Sequence, residues 1–280
     1  MTELLAAALL VCRALFFSAH RLVIKQSDDR LALLAGFNLI SMGVGLSLLP
    51  FVPSLGWAAM PYLLASATFY SLAMVFLTFG YRLANFSAIT PLQSAIKIVS
   101  IAWLATLLLG EPASTTDWLA AALVVASLGV QAAPRQVTSG LTGVTGALAV
   151  AAGLCSGSQY IADVAGIRRV DEPMSYIVWN LMIGWPVVLY GLANRRSRIY
   201  SEFRRQGGRI LTAAGLDIVG YSLILIVVYQ LNVVSILPLL NLDILFSALL
   251  GILVLRERHV ARHLLSATLL FTAAVISQVF

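Results

Sequence analysis

Long apolar runs, separated by brief clusters of proline, glycine and charge, dominate the chain. Ten of them approach the ~20 residues a helix needs to cross a bilayer. They cover about 3–24, 31–50, 58–79, 86–109, 116–133, 142–165, 174–193, 210–229, 233–255 and 260–279. Connections are mostly short, and Pro50, Pro53, Pro112, Pro134 and Pro173 mark run ends, where a missing N–H costs little. The pattern predicts an all-α membrane protein with ten transmembrane helices.

Composition strengthens that reading. Hydrophobic residues make up 60% of the 280 positions and charged residues only 11%, with a mean hydropathy of +0.93. Ordinary soluble proteins carry about 25% charge; a soluble domain with so little could not cover its own surface. The net charge of +6 does not point to nucleic acid, because no basic patch alternates with aromatic residues. The excess arginine lies instead between the runs, where it sets orientation. Loops after the odd runs hold fourteen Lys and Arg; the opposite side has only Arg168 and Arg169, offset by Asp171 and Glu172. That asymmetry places the odd loops in the cytoplasm and both termini outside, in a chain expected in the cytoplasmic membrane of a bacterium. Six of the fourteen come from Asn194 to Arg209, which reads as a basic cytoplasmic loop, with a lipid-headgroup or regulatory site as the alternative. The first run lacks a basic leader and contains Arg13, so it is expected to remain as a span. Cys12 and Cys155 fall inside runs, at no metal-type spacing, and read as small buried thiols.

The chain also repeats itself. Tyr81 to Pro112 and Tyr229 to Arg258 both open with Tyr, continue through Ser and Pro into a long apolar run, and close on Glu. Tyr81 matches Tyr229 and Ser87 matches Ser235 at an offset of 148; Pro91 matches Pro238 at 147, and Glu111 matches Glu257 at 146. The chain thus reads as two five-helix repeats, 1–133 and 142–280, joined by a linker at 134–141. An odd number of spans per half inverts one repeat relative to the other, as in many secondary transporters.

These features resemble the drug/metabolite transporter superfamily, specifically its ten-helix EamA-type members. The resemblance rests on Tyr81-Arg82-Leu83, Pro91 and Leu109-Gly110-Glu111, on Tyr229-Gln230-Leu231, Pro238 and Arg256-Glu257, and on Gly143 and Gly146 opening the second half. Arg256 stands where the first copy has Gly110. The resemblance implies an exporter of amino acids, metabolites or drugs with a cavity between the halves. It also implies cytoplasmic termini, opposite to the arginine count. The small multidrug-resistance relatives carry a glutamate in their first helix; Arg13 stands in the first run here, which disfavours a lipophilic-cation antiporter.

Charges inside a span cost roughly 2.5–3.5 kcal/mol on insertion scales and usually face a cavity or one another. Arg13, Lys97, Asp217 and Asp243 lie near run centres. Together they suggest an amphoteric site in which Arg13 and Lys97 take a carboxylate or phosphate and Asp217 and Asp243 take an amine or a coupling proton. The plainer alternative is two neutralising pairs, such as Lys97–Asp243, that stitch the halves together. Gln93, Asn241, Tyr160 and Asn180 are the uncharged candidates, although helix–helix hydrogen bonding accounts for such groups equally well. Trp103, Trp179 and Trp185 line a cavity or face lipid. Pro91 and Pro238 are hinge candidates, each freeing a carbonyl one turn earlier. Asp163, near a run end, reads as interfacial, and Glu111 and Glu257 read as local ties between helix ends.

No nucleotide loop, zinc spacing or nucleophile elbow is present, so the chain is not expected to be an enzyme or to carry a metal or cofactor. The expected function is proton-coupled or uncoupled export of small amphoteric metabolites such as amino acids by alternating access. A lipid or lipid-linked-sugar flippase and a non-transporting membrane scaffold are the alternatives. Membrane lipid is the expected surrounding partner, and a monomer the expected state, with a dimer as the alternative.

Overall fold

The structure is a computed structural model of the chain. It describes residues 3–25, 30–83, 86–132, 143–243 and 246, and further on 265, 268–269, 271–273 and 276. Among these residues every regular element is helical. In order they are α1 (Glu3–Lys25), α2 (Arg30–Leu48), α3 (Met60–Leu83), α4 (Phe86–Leu108), α5 (Thr115–Ala132), α6 (Gly143–Ile167), α7 (Pro173–Asn180), α8 (Trp185–Gln230) and α9 (Val233–Leu240).

Four stretches of the described residues are long and apolar enough to cross a membrane: Ala32–Phe51, Met60–Tyr81, Gly143–Ile167 and Pro173–Gln230. Leu4–His20, Leu92–Leu108 and Thr115–Val130 are shorter apolar helices. Their outward faces are apolar too, with Leu64, Trp103, Leu154, Leu189 and Leu211 each more than half exposed. Protein surfaces in water seldom expose so much apolar area, so the composition of the outside is that of a protein solvated by lipid. Trp103 and Trp185 belong to this outer face, and so does Cys12, expected to be a buried thiol; Cys155 is partly covered, and neither cysteine is in a disulfide.

The seventh and eighth runs differ from expectation. α7 stops at Asn180, and Leu181 to Gly184 form tight turns, with Met182 N–H donating to Trp179 at 3.1 Å and Ile183 N–H to Asn180 at 3.0 Å. The predicted span 174–193 is therefore broken. The stretch read as a basic loop is helical, lying inside α8 between non-helical backbone at Arg195 (φ −139°, ψ 22°) and Gln206 (φ −139°, ψ 34°). Its physical reason is a stripe the charge count obscured. Ile199, Glu202 and Gln206 are buried and Phe203 half-buried, at helical spacing. Ile199 packs on Ala32 and Ala35, and Phe203 joins the Leu33, Phe37, Ile210 cluster. In the ninth run, α9 ends at Leu240 and Asn241 closes it, its amide donating to the Leu237 carbonyl at 2.8 Å. The linker 134–141, Glu257 and most of the tenth run lie outside the described residues.

The helices gather into two compact units, Met1–Ser71 with Ala162–Gln230, and Leu72–Ile161 with Leu231–Phe280. Each unit takes residues from both sequence repeats. In the first, α1 and α2 pack on α8; in the second, α4, α5 and α9 pack on one another.

The second unit shows what the Gly-Glu motif does. Gly110 has φ +66°, the left-handed conformation that an L side chain adopts at a cost. The Glu111 N–H returns to the Ala105 carbonyl at 3.3 Å, closing α4. This turn aims the Glu111 carboxylate at the start of α9, where it accepts from the N–H groups of Val233 (2.8 Å) and Val234 (3.3 Å). Asn232 caps the same end, accepting from Val234 at 2.8 Å. Glu111 thus ties two helix ends together, the local role expected of it. At α5, Ser114 and Asp117 form a reciprocal capping box: the Ser114 N–H reaches the Asp117 carboxylate at 2.9 Å and the Asp117 N–H reaches the Ser114 hydroxyl at 3.1 Å.

Candidate functional site

In the first unit α1 meets the last part of α8 in antiparallel register. His20 lies against Ala213 and Phe17 against Gly220. The His20 Nδ1 to Ala213 carbonyl distance is 2.9 Å; a carbonyl can only accept, so Nδ1 carries the proton. Phe37 from α2 meets the His20 ring edge-on at 5.2 Å. This register puts Asp217 between Arg13 and His20, both of which act on it electrostatically. Arg13 is buried, with its guanidinium 4.4 Å from the centre of the Phe17 ring. Asp217 also acts on Tyr70 of α3, whose hydroxyl donates to Asn38 Oδ1 on α2 at 3.1 Å. Asp217 thus lies within electrostatic reach of Arg13 and His20 in a layer built by α1, α2, α3 and α8. Gly184 lets the broken helix approach this layer, since a Cβ there would collide with the Asn38 amide.

One turn beyond Asp217, Tyr221 donates to Asp163 Oδ2 at 2.6 Å. Asp163 Oδ1 accepts from Tyr176 at 3.0 Å and from Asn180 at 2.7 Å. Asp163, read as interfacial from its place near a run end, has 0% exposure and is enclosed by other helices. The sequence position near a helix end was a true observation, but α7 and α8 cover that end and supply three donors. A carboxylate removed from water needs that supply. Asn180, a candidate binding residue, is thus engaged with Asp163, and it is also the residue at which α7 stops.

The second unit holds Lys97, Gln93, Tyr160, Asn241 and Asp243. α6 packs on α4 through Gly153 and Gly157, a G-x-x-x-G spacing. A Cβ on Gly153 would lie 2.6 Å from Ile96 Cβ, and one on Gly157 2.5 Å from Ser100 Cβ, so only glycine permits the approach. The close contact brings Gln93 within 3.1 Å of the Ser156 hydroxyl, and the Lys97 ammonium within 6.0 Å of the Tyr160 ring centre. Asp243 is buried just beyond the Asn241 break. Pro238 sits inside α9, and α4 runs through Pro91.

Of the four charges read as one site, Arg13 and Asp217 lie in the first unit and Lys97 and Asp243 in the second. Asn38 and His20, polar groups noted within or near the runs, join the first two, as do Tyr70, Tyr176 and Tyr221, which the sequence did not single out. Their signal was present only as helical spacing: Asp217 and Tyr221 are i, i+4, and so are Tyr176 and Asn180.

No family model matches the chain, and no curated protein does. Among solved structures, one described only as "Crystal structure of protein" is similar, with a TM-score of 0.75 over 99% of this chain and 98% of that one. At 14% identity the likeness concerns the fold alone, and it extends over nearly the whole chain.

Proposed function

We propose that the chain is a secondary transporter of the drug/metabolite type, exporting small amphoteric metabolites such as amino acids. The observation that carries this reading is that Arg13 lies within electrostatic reach of Asp217 inside apolar helices. A pair kept only for stability is poorly served there, because desolvation offsets much of the attraction. A zwitterionic ligand would use both signs, its carboxylate at Arg13 and its amine at Asp217. Lys97 beside Tyr160 gives the second unit a cation of its own. In this reading ten spans form two inverted five-helix repeats that alternate access to a midplane site, in the cytoplasmic membrane, with the arginine-rich loops inside.

The test is flux of labelled amino acids in proteoliposomes, with a lipid-flip assay on the same vesicles. Arg13→Ala, Asp217→Asn, Lys97→Ala and Asp243→Ala are expected to elute as folded protein and to lose transport. The Lys97→Ala/Asp243→Ala double is expected to stay inactive. Normal flux from all four folded variants, or recovery in the double, removes the reading; lipid flipping without amino-acid flux replaces it with a flippase.

A further inference from the structure

We infer that the kinked segment of α8 is a binding site for the headgroup of an anionic phospholipid, centred on Arg205 and Arg209. The sequence here carries six arginines from Arg195 to Arg209 and one acid, Glu202, a balance of +5. The fold sorts them. Glu202 turns inward and is bonded to Gln206, on the buried stripe with Ile199. Arg196, Arg198, Arg204, Arg205 and Arg209 are exposed.

The second observation is a shape. At Gln206 the backbone leaves the helix, and Gly207 and Gly208 follow without side chains. An open depression results, lined by Arg205, Gln206, Gly208 and Arg209. Arg209 Nη1 donates to Gln206 Oε1 at 3.3 Å, which holds one guanidinium at the rim. Guanidinium groups offer paired N–H donors that match a phosphate, and each charge-assisted bond is stronger than a neutral one. The third observation is the flanking sequence. Apolar helix continues on both sides, in 185–194 and from Ile210 onward, inside the membrane-length stretch Pro173–Gln230. A charged segment between apolar flanks belongs, in this inference, where the chain leaves and re-enters the apolar layer, at the level of lipid phosphates. Tyr200, 65% exposed with Arg204 6.0 Å from its ring centre, is the aromatic type found at that level. A membrane-bound phosphate, charged and held at this depth, fits the depression; phosphatidylglycerol is the probe of that chemistry.

This inference does not depend on what the protein transports. The experiment is native mass spectrometry and thermal melting of full-length protein in phosphatidylcholine nanodiscs, with and without phosphatidylglycerol. Wild type is expected to retain phosphatidylglycerol, and Arg205→Gln/Arg209→Gln to lose it by about tenfold or more, the scale of one charge-assisted hydrogen bond. Arg196→Gln/Arg198→Gln removes the same charge away from the depression and is the control, expected to retain most of the lipid. Arg205→Lys/Arg209→Lys preserves net charge; a folded protein with intermediate retention supports the paired-donor geometry even if the glutamine pair fails to fold. Equal losses from both glutamine pairs would reduce the effect to diffuse attraction and overturn the site. Equal retention of phosphatidylcholine, or equal protection by millimolar inorganic phosphate, would also overturn the lipid assignment.

Discussion

Removing one of the hydroxyls that donate to Asp163 tests whether the first unit is organised around that carboxylate. Tyr221→Phe deletes the donor at 2.6 Å and leaves the ring in place, so little packing changes. In soluble proteins a hydrogen bond to a charged group contributes about 1.5–3 kcal/mol. Between membrane helices the average is about 0.6 kcal/mol and the maximum about 1.7, because separated helices find other partners. Asp163 is fully buried and draws donors from two other helices, so the expected cost lies at the upper end, about 1–2 kcal/mol. A transition of this size of protein moves about 2–4 °C per kcal/mol. Tyr176→Phe should cost a similar amount. The double variant should depart from additivity by about 0.5 kcal/mol or more, since both hydroxyls share one acceptor. Tyr229→Phe is the control: its hydroxyl donates to the exposed Asp171 carbonyl at 3.4 Å, a contact expected to contribute almost nothing. The assay is thermal melting in lipid nanodiscs. A Tyr221→Phe shift no larger than that of Tyr229→Phe, or strict additivity with Tyr176→Phe, would refute the claim that Asp163 holds α6, α7 and α8 together.

Gly110→Ala should lower stability by about 1–2 kcal/mol, the cost of an L side chain in the left-handed region, and should uncouple α4 from α9. Glu111→Ala should cost about 0.5–2 kcal/mol as a lost helix cap. Paired melts of the two single variants and the double should show strong non-additivity, and additive losses would mean that the turn does not aim the carboxylate. For topology, epitope tags at either terminus should be accessible from outside intact cells, as the arginine distribution requires; labelling only after permeabilisation would reverse the orientation.

Hydrophobic length and charge scarcity were enough to read the class of this chain, because a bilayer leaves helices few alternatives: backbone groups must be satisfied within each segment. α1 to α6 accordingly lie within a few residues of the runs read from the pattern. Arg13 and Asp217 were recognisable because charge in such runs is costly wherever it occurs. What sequence could not supply was adjacency. Asp163 looked interfacial because helix position says nothing about which neighbours cover a helix end; Tyr176, Asn180 and Tyr221 arrive from 13 to 58 residues away. The segment 194–209 looked like a loop because its arginines outnumber its apolar residues, and only packing against α2 shows that Ile199 and Phe203 form a buried stripe. The break after Asn180 has a local mark in Gly184 and in Pro186 at the first turn of α8, but the turns persist where Asn180 is held by Asp163 and Gly184 fits against Asn38. Local chemistry sets which segments become helices in lipid, but helix contacts decide which polar groups face one another, and the candidate site is made of those contacts.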